Sequence, residues 1–297
     1  MRRIAVLVVA VLWPIAPNAR SQSFRVTTWN LQWFPSGSQH SVSASVEEEH
    51  VLLAAETLKE LKPDVVLLQE IRDWSTCDRL ANALRPDDYH TLVCSAFRDA
   101  VGAVAGRQQV AILAKRWAQA AWSERWVYRG RVDPPRGFAF ATIRYGDNDI
   151  AFYSVHLKSN LARGTGELEP QLNILKREIA TDQLVEHSRK IEQTILPSVK
   201  HIVVGGDFNT NTDQPLFVSE RTLGTLAGAG FKDVFTGLLP FSRITHPGSG
   251  RYPDATFDYL FFRNLQMASP AKISASALSD HRPVTCDFEL LAYPGPK

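Results

Sequence analysis

The chain has 297 residues, 44% hydrophobic and 22% charged, which excludes a disordered, collagen-like or coiled-coil protein and leaves enough length for a sizeable core. Its 33 Lys and Arg face 31 Asp and Glu; without Arg2 and Arg3, which fall in an N-terminal targeting segment, the basic count drops to 31 and the charges balance. Binding to nucleic acid through bulk charge is thereby excluded, so affinity for phosphate must come from a local site or a metal.

The N-terminus reads as a secretory signal over residues 1–20. Arg2 and Arg3 precede an apolar run, Ile4–Trp13, after which Pro14 and Pro17 break the helix and Ala19 offers a cleavage position. Ten apolar residues fall short of the roughly 18 needed to span a bilayer, and no later run is more apolar. The expectation is a protein secreted or periplasmic after cleavage, without stable membrane insertion and monomeric. One α/β domain is expected from residue 21 to the C-terminus, residue 297, because no linker or repeat interrupts it.

Strand-like runs follow at Phe24–Trp29, Asp64–Gln69, His90–Val93, Val110–Ala114, Ala139–Tyr145, Ile150–Val155, His201–Val204, Thr256–Phe262 and Val284–Leu290. Several are continuously apolar, as strands covered on both faces are. Helices are expected over Val46–Leu61, stopped by Lys62-Pro63, and over Gln171–Leu196, stopped by Pro197. Gly224–Gly230 is too glycine-rich to assign. The export signal permits disulfides. Cys77, near the start of a short helix, and Cys94, in the next strand, are the candidate pair, with Cys286 a buried small hydrophobe.

The informative residues stand where apolar runs stop. The first strand ends in Trp29-Asn30, Asp64–Gln69 runs into Glu70, Ile150–Val155 into His156, and His201–Val204 through Gly205-Gly206 into Asp207 and Asn209. Asp258 opens one strand and Asp280-His281 precedes the last. Adjacent strands ending this way gather carboxylates, amides and imidazoles at a shared rim, an arrangement suited to hydrolysis.

TWNLQWF, VVLLQEIRD, VHLKS, GGDFNTN, FDYLFF and SDHRPV occur in this order from Arg25 to Phe288. Together they resemble the endonuclease/exonuclease/phosphatase superfamily, the DNase I-like fold, and within it most resemble bacterial extracellular nucleases. The resemblance implies a four-layered α/β sandwich, two mixed β-sheets packed face to face with flanking helices. It implies a metal-dependent phosphodiesterase, a DNA endonuclease with little sequence specificity being the first expectation. A sphingomyelinase-like phospholipase or a phosphomonoesterase of the same fold is the alternative, with Phe235–Phe241 as a candidate lipid-directed loop.

By that resemblance Glu70, Asn30 and Asp280 would hold Mg²⁺, with Mn²⁺ a substitute, since hard cations favour oxygen donors. His281 would be the general base, oriented by Asp258. Asp207 and Asn209 would orient water and grip phosphoryl oxygens, and His156 would serve the phosphate or the leaving oxygen. Arg72, Arg107 and Arg136 are the candidate phosphate contacts. DNase I pairs its second histidine with a glutamate from an earlier strand; the matching stretch here, GRQQVAIL, offers Arg107, Gln108 and Gln109 and no carboxylate.

Overall fold

The computed structural model describes residues 22–98, 108–160, 168–250 and 252–290; the signal-like segment and Arg107 lie outside them. In chain order the strands are β1 (Ser23–Phe34), β2 (Val65–Ile71), β3 (His90–Cys94), β4 (Gln109–Ala114), β5 (Ala118–Arg125), β6 (Gly137–Tyr145), β7 (Asn148–His156), β8 (Val199–Asp207), β9 (Lys232–Asp233), β10 (Asp258–Arg263), β11 (Leu265–Met267), β12 (Lys272–Ile273) and β13 (Val284–Leu290). The α-helices are α1 (Ala44–Leu61), α2 (Trp74–Ala83), α3 (Glu169–Lys190) and α4 (Thr222–Gly228).

Local chemistry sets the helix ends. The Ser43 hydroxyl accepts the Val46 N–H at 3.4 Å to open α1, and Lys62 closes it in the left-handed region just before Pro63. Asp73 opens α2 by accepting both the N–H and the hydroxyl of Thr76 at 2.8 Å.

The strands form two sheets. One has the order β11-β13-β1-β2-β4-β3, with β12 on β13; the other is β5-β6-β7-β8-β10-β9. Both are mixed: β1 runs parallel to β2 and β7 parallel to β8, the remaining pairs being antiparallel. Between the sheets Val26, Leu67 and Ile112 meet Ala141, Phe152 and Val203 in one fully buried cluster. On the outer face of the first sheet, Val51, Leu58 and Leu80 of α1 and α2 cover Trp29, Val66 and Leu113. Ala180 and Leu184 of α3 and Leu226 of α4 join the core of the second sheet. The result is helix, sheet, sheet, helix.

Two polar features hold the sheets in register below the site. The Gln69 Nε2 donates to Ser154 Oγ at 3.0 Å, and Ser154 Oγ donates to the Leu68 carbonyl at 2.9 Å. At Gly206 a Cβ would sit 1.9 Å from the Val155 carbonyl oxygen, so this β7–β8 contact admits only glycine.

The structure departs from or completes the sequence expectations at four places. Cys77 and Cys94 lie side by side, the latter packed on the cluster containing the former, but both are free thiols. The strand β5, with its alternately half-exposed AQAAWSER, has no continuous apolar run and gave no strand signal. Conversely α4 forms despite Gly224 and Gly228, because it packs on α3. The helix ending at Pro197 is regular only to Lys190; Ile191–Ile195 form a π-helical turn.

Candidate active site

Strand register brings the site together. Asp207, the last residue of β8, stands opposite His156, the last of β7, and opposite Asp258, the first of β10. On the other sheet Asn30 is paired with Gln69, one residue before Glu70. At Glu70 the β2 ladder is bulged and its backbone is left-handed, with φ 60°. The bulge re-aims the carboxylate out of the strand alternation. Gln32, Trp33, Arg136 and Asn209 also have positive φ, so the rim concentrates backbone strain, as functional sites do.

Three groups define the centre. The His281 Nδ1 and Asp258 Oδ2 are 2.8 Å apart, and the His281 Nε2 lies 3.8 Å from Asp207 Oδ2. The loop carrying His281 is pinned twice. Ser279 Oγ accepts the His281 N–H at 3.0 Å and donates to the Asn30 carbonyl at 2.7 Å, while Trp29 Nε1 donates to the His281 carbonyl. Asp258 is fully buried, and its N–H is received by the Thr245 hydroxyl at 3.0 Å.

Asp207 is the hub. Its Oδ1 accepts the Asn209 N–H at 2.9 Å, and its Oδ2 accepts Asn30 Nδ2 at 3.0 Å and faces His156 Nε2 at 3.5 Å. Glu70 sits across from it, 3.9 Å from the same His156 nitrogen, with Oε2 accepting the Trp33 N–H at 2.8 Å. The ionisations differ accordingly. Burial pushes Asp207 up to about 7, although His281 pulls the other way, and burial also raises Glu70. Burial opposes the charge on His281, yet Asp258, Asp207 and Asp280 carry it up to about 10. His156 is held well below its ordinary range by burial, with Arg136 adding to the effect. The site therefore sets a cationic imidazole beside a neutral one.

Not every expected group arrives in its expected role. The Asn30 Oδ1 accepts the Gln32 N–H at 3.0 Å, which turns its amide nitrogen toward the carboxylates, where it ties Glu70 to Asp207. Asp280 faces His246, at 3.8 Å, and its carboxylate lies within 4.8 Å of a His281 ring nitrogen. Arg72 is spent on Glu47, at 2.5 Å, and on Asp73. Arg136 is locked inside, donating to the carbonyls of His156 and Leu157 and to Gln108. It acts on Glu70 and Asp207 through charge. The Asn209 Nδ2 donates to the Leu157 carbonyl at 3.2 Å, bracing the strand end.

His156 Nδ1 is buried without a partner among the described residues, in keeping with the absence of a carboxylate from the GRQQ stretch. Gln109 itself points to Ser95 and Phe97. Sequence reasoning missed His246 and Thr245. They follow no apolar strand and reach the site through the 245–257 hairpin, where His246 and Ala255 exchange both backbone hydrogen bonds.

The donor set fits a hard divalent cation. Two carboxylates, the largely buried Glu70 and the buried Asp207, flank His156 Nε2 with their ionisation opposed by burial, and Asp258 keeps a buried oxygen, Oδ1, without a partner among the described residues.

The comparisons with known proteins bear on the fold and the family. No curated protein matches the chain. The fold is similar to that of an endonuclease/exonuclease/phosphatase from Beutenbergia cavernae, 17% identical with TM-score 0.66, covering 92% of this chain and 73% of that one. A protein of the same description from Bacteroides vulgatus is 16% identical with TM-score 0.65, covering 91% and 100%. Truncated TDP2 from Caenorhabditis elegans is 14% identical with TM-score 0.57, covering 90% and 98%. The model of the Endonuclease/Exonuclease/phosphatase family matches residues 27–281, and the chain belongs to that family.

Proposed function

We propose that the protein is an exported, divalent-metal-dependent phosphodiesterase, with DNA as its first substrate and an endonucleolytic mode. Members of its family are hydrolases of phosphoester bonds. The observation that carries the reading is the Asp258–His281 pair, at 2.8 Å, with the imidazole Nε2 3.8 Å from Asp207 Oδ2. The Arg2-Arg3 start and apolar run up to Trp13 support export.

Glu70 and Asp207 would hold Mg²⁺, which when bound polarises a phosphoryl oxygen and offsets the carboxylate charge that raises His281. His281 Nε2 then takes the proton of the attacking water, while Asp258 fixes the ring and stabilises the imidazolium. Asp207, within reach of both imidazoles, orients that water. His156, neutral and without a partner at Nδ1, offers its Nε2 hydrogen to the phosphate, and Arg136 holds the strand end that carries it.

Supercoiled plasmid incubated with mature protein and Mg²⁺ is expected to be nicked. Excess EDTA should stop the reaction, and His281→Ala should slow it at least about a hundredfold, the scale of a lost general base. Intact plasmid would transfer the reading to another phosphodiester. A lipid substrate is favoured next by one observation: Leu239 and Phe241 are 59% and 72% exposed in the loop leading to Thr245. Release of phosphocholine from sphingomyelin vesicles tests it.

A further inference from the structure

Among the described residues, a second cluster of ligand-bearing side chains lies beside the centre and shares only His281 with it: His246, Asp280 and His281. One ligand atom from each lies within 4.8 Å of the others. The His246 ring meets the His281 ring edge-on, centroids 4.8 Å apart, and its Nε2 stands 3.8 Å from Asp280 Oδ2. The hairpin is fixed at His246 by two backbone hydrogen bonds to Ala255, and the Phe257 ring lies 5.6 Å from the imidazole.

The chemistry of these donors differs from that of Glu70 and Asp207. Two imidazoles and one carboxylate suit a borderline-soft ion such as Zn²⁺, whereas all-oxygen sites suit Mg²⁺. His281 is also prepared as a ligand. Its Nδ1 is bonded to a carboxylate, Asp258, which fixes the ring and makes Nε2 the more basic donor, the carboxylate–histidine–metal arrangement. Ligand atoms around a tetrahedral zinc stand roughly 3.3 Å apart, given bonds of about 2 Å. The present spacings, up to 4.8 Å, need only side-chain adjustment of the partly exposed His246 and Asp280.

We infer that His246, Asp280 and His281 form a second divalent-metal site, selective for Zn²⁺ over Mg²⁺, with its fourth position open to water. Zinc bound there engages His281 Nε2, the nitrogen that must accept the proton of water. On the reading of His281 as base, zinc is an inhibitor of the Mg²⁺-supported reaction.

Two arms test this separately. The first measures binding without turnover: the protein, with Mg²⁺ saturating, is titrated with Zn²⁺ against a chromophoric zinc chelator. Wild type is expected to retain one equivalent that His246→Phe and Asp280→Asn each bind at least about tenfold more weakly. The phenylalanine keeps the ring packing and removes the ligand; the aspartate change lies on an exposed loop and guards against a folding defect in the first. No zinc retained by wild type at micromolar concentration, or retention unchanged in both variants, overturns the site. The second arm measures Mg²⁺-supported hydrolysis. Zinc should inhibit wild type and inhibit His246→Phe at least about tenfold less. Zinc that binds without inhibiting keeps the site and overturns the role of His281.

Discussion

Asn30 illustrates how much one amide settles. Facing two buried carboxylates it is a donor, and the Gln32 N–H that fixes its oxygen prevents the reverse orientation. Asn30→Ala should therefore raise the Mg²⁺ concentration needed for half-maximal activity and lower the rate about 10- to 100-fold, as loss of a supporting hydrogen bond does. An unchanged metal requirement would show that Glu70 and Asp207 keep their spacing without it. Asp233 supplies a stability test away from the site. Its carboxyl accepts the Phe235 N–H, but burial pushes its pKa up to about 6. The folded chain thus holds this proton more tightly than the unfolded one. The contribution of Asp233 is most favourable below about pH 4, and stability is lost as pH rises from about 4 to about 6. Asp233→Asn should be more stable than wild type at pH 7 by about 1–2 kcal/mol in urea unfolding, the gap closing toward pH 4. At this scale the sequence revealed residue types and strand ends but not orientation. Glu70, His156, Asp207, Asp258 and His281 meet and Asp280 joins at His281, whereas Arg72 turns to Glu47 and Asp73, because side-chain direction at a bulge or loop depends on neighbours far away in sequence.

Among the elements, the continuous apolar runs of β1, β2, β7 and β8 were legible because both faces of each strand are covered. An edge strand such as β5 buries too little to mark itself. The helix α4 is the reverse case, where tertiary contact overrides glycine content. The segment between β8 and α4 is tied to α3 by a feature no local pattern announces. Arg177 and Glu220, both essentially inaccessible, form a two-pronged ion pair at 2.8 and 2.6 Å, and Arg177 also holds the Lys158 carbonyl two residues past His156. Removing one partner strands a buried charge. Glu220→Gln should cost about 3–5 kcal/mol in equilibrium unfolding; a loss under about 1 kcal/mol would mean that water reaches Arg177.

For the whole molecule, the four-layered architecture was legible through the resemblance carried by the six ordered motifs, while the polar residues at strand ends marked only the rim of the site. The thiols of Cys77 and Cys94 lie outside this logic: neighbouring elements bring them together without joining them. A cation that binds the folded site and not the unfolded chain stabilises the fold by mass action. Mg²⁺ at about a hundred times its dissociation constant should add about 2.7 kcal/mol, seen as a higher Tm that EDTA abolishes. Glu70→Gln should lose most of that increment.

Glu70 and Asn30 belong to one sheet, while His156, Asp207 and Asp258 belong to the other, with Gln69 and Ser154 bridging them just beneath. The reacting groups thus straddle a seam, and the width of that seam is their working distance. Slippage of one sheet over the other by about 1 Å would misalign them by enough to cost on the order of a hundredfold in rate while leaving each sheet, and the bulk of the core, intact. Heat or pressure should then silence the enzyme before it melts, and a tighter bolt at the Gln69–Ser154 crossing would extend its working range without touching a single reacting group.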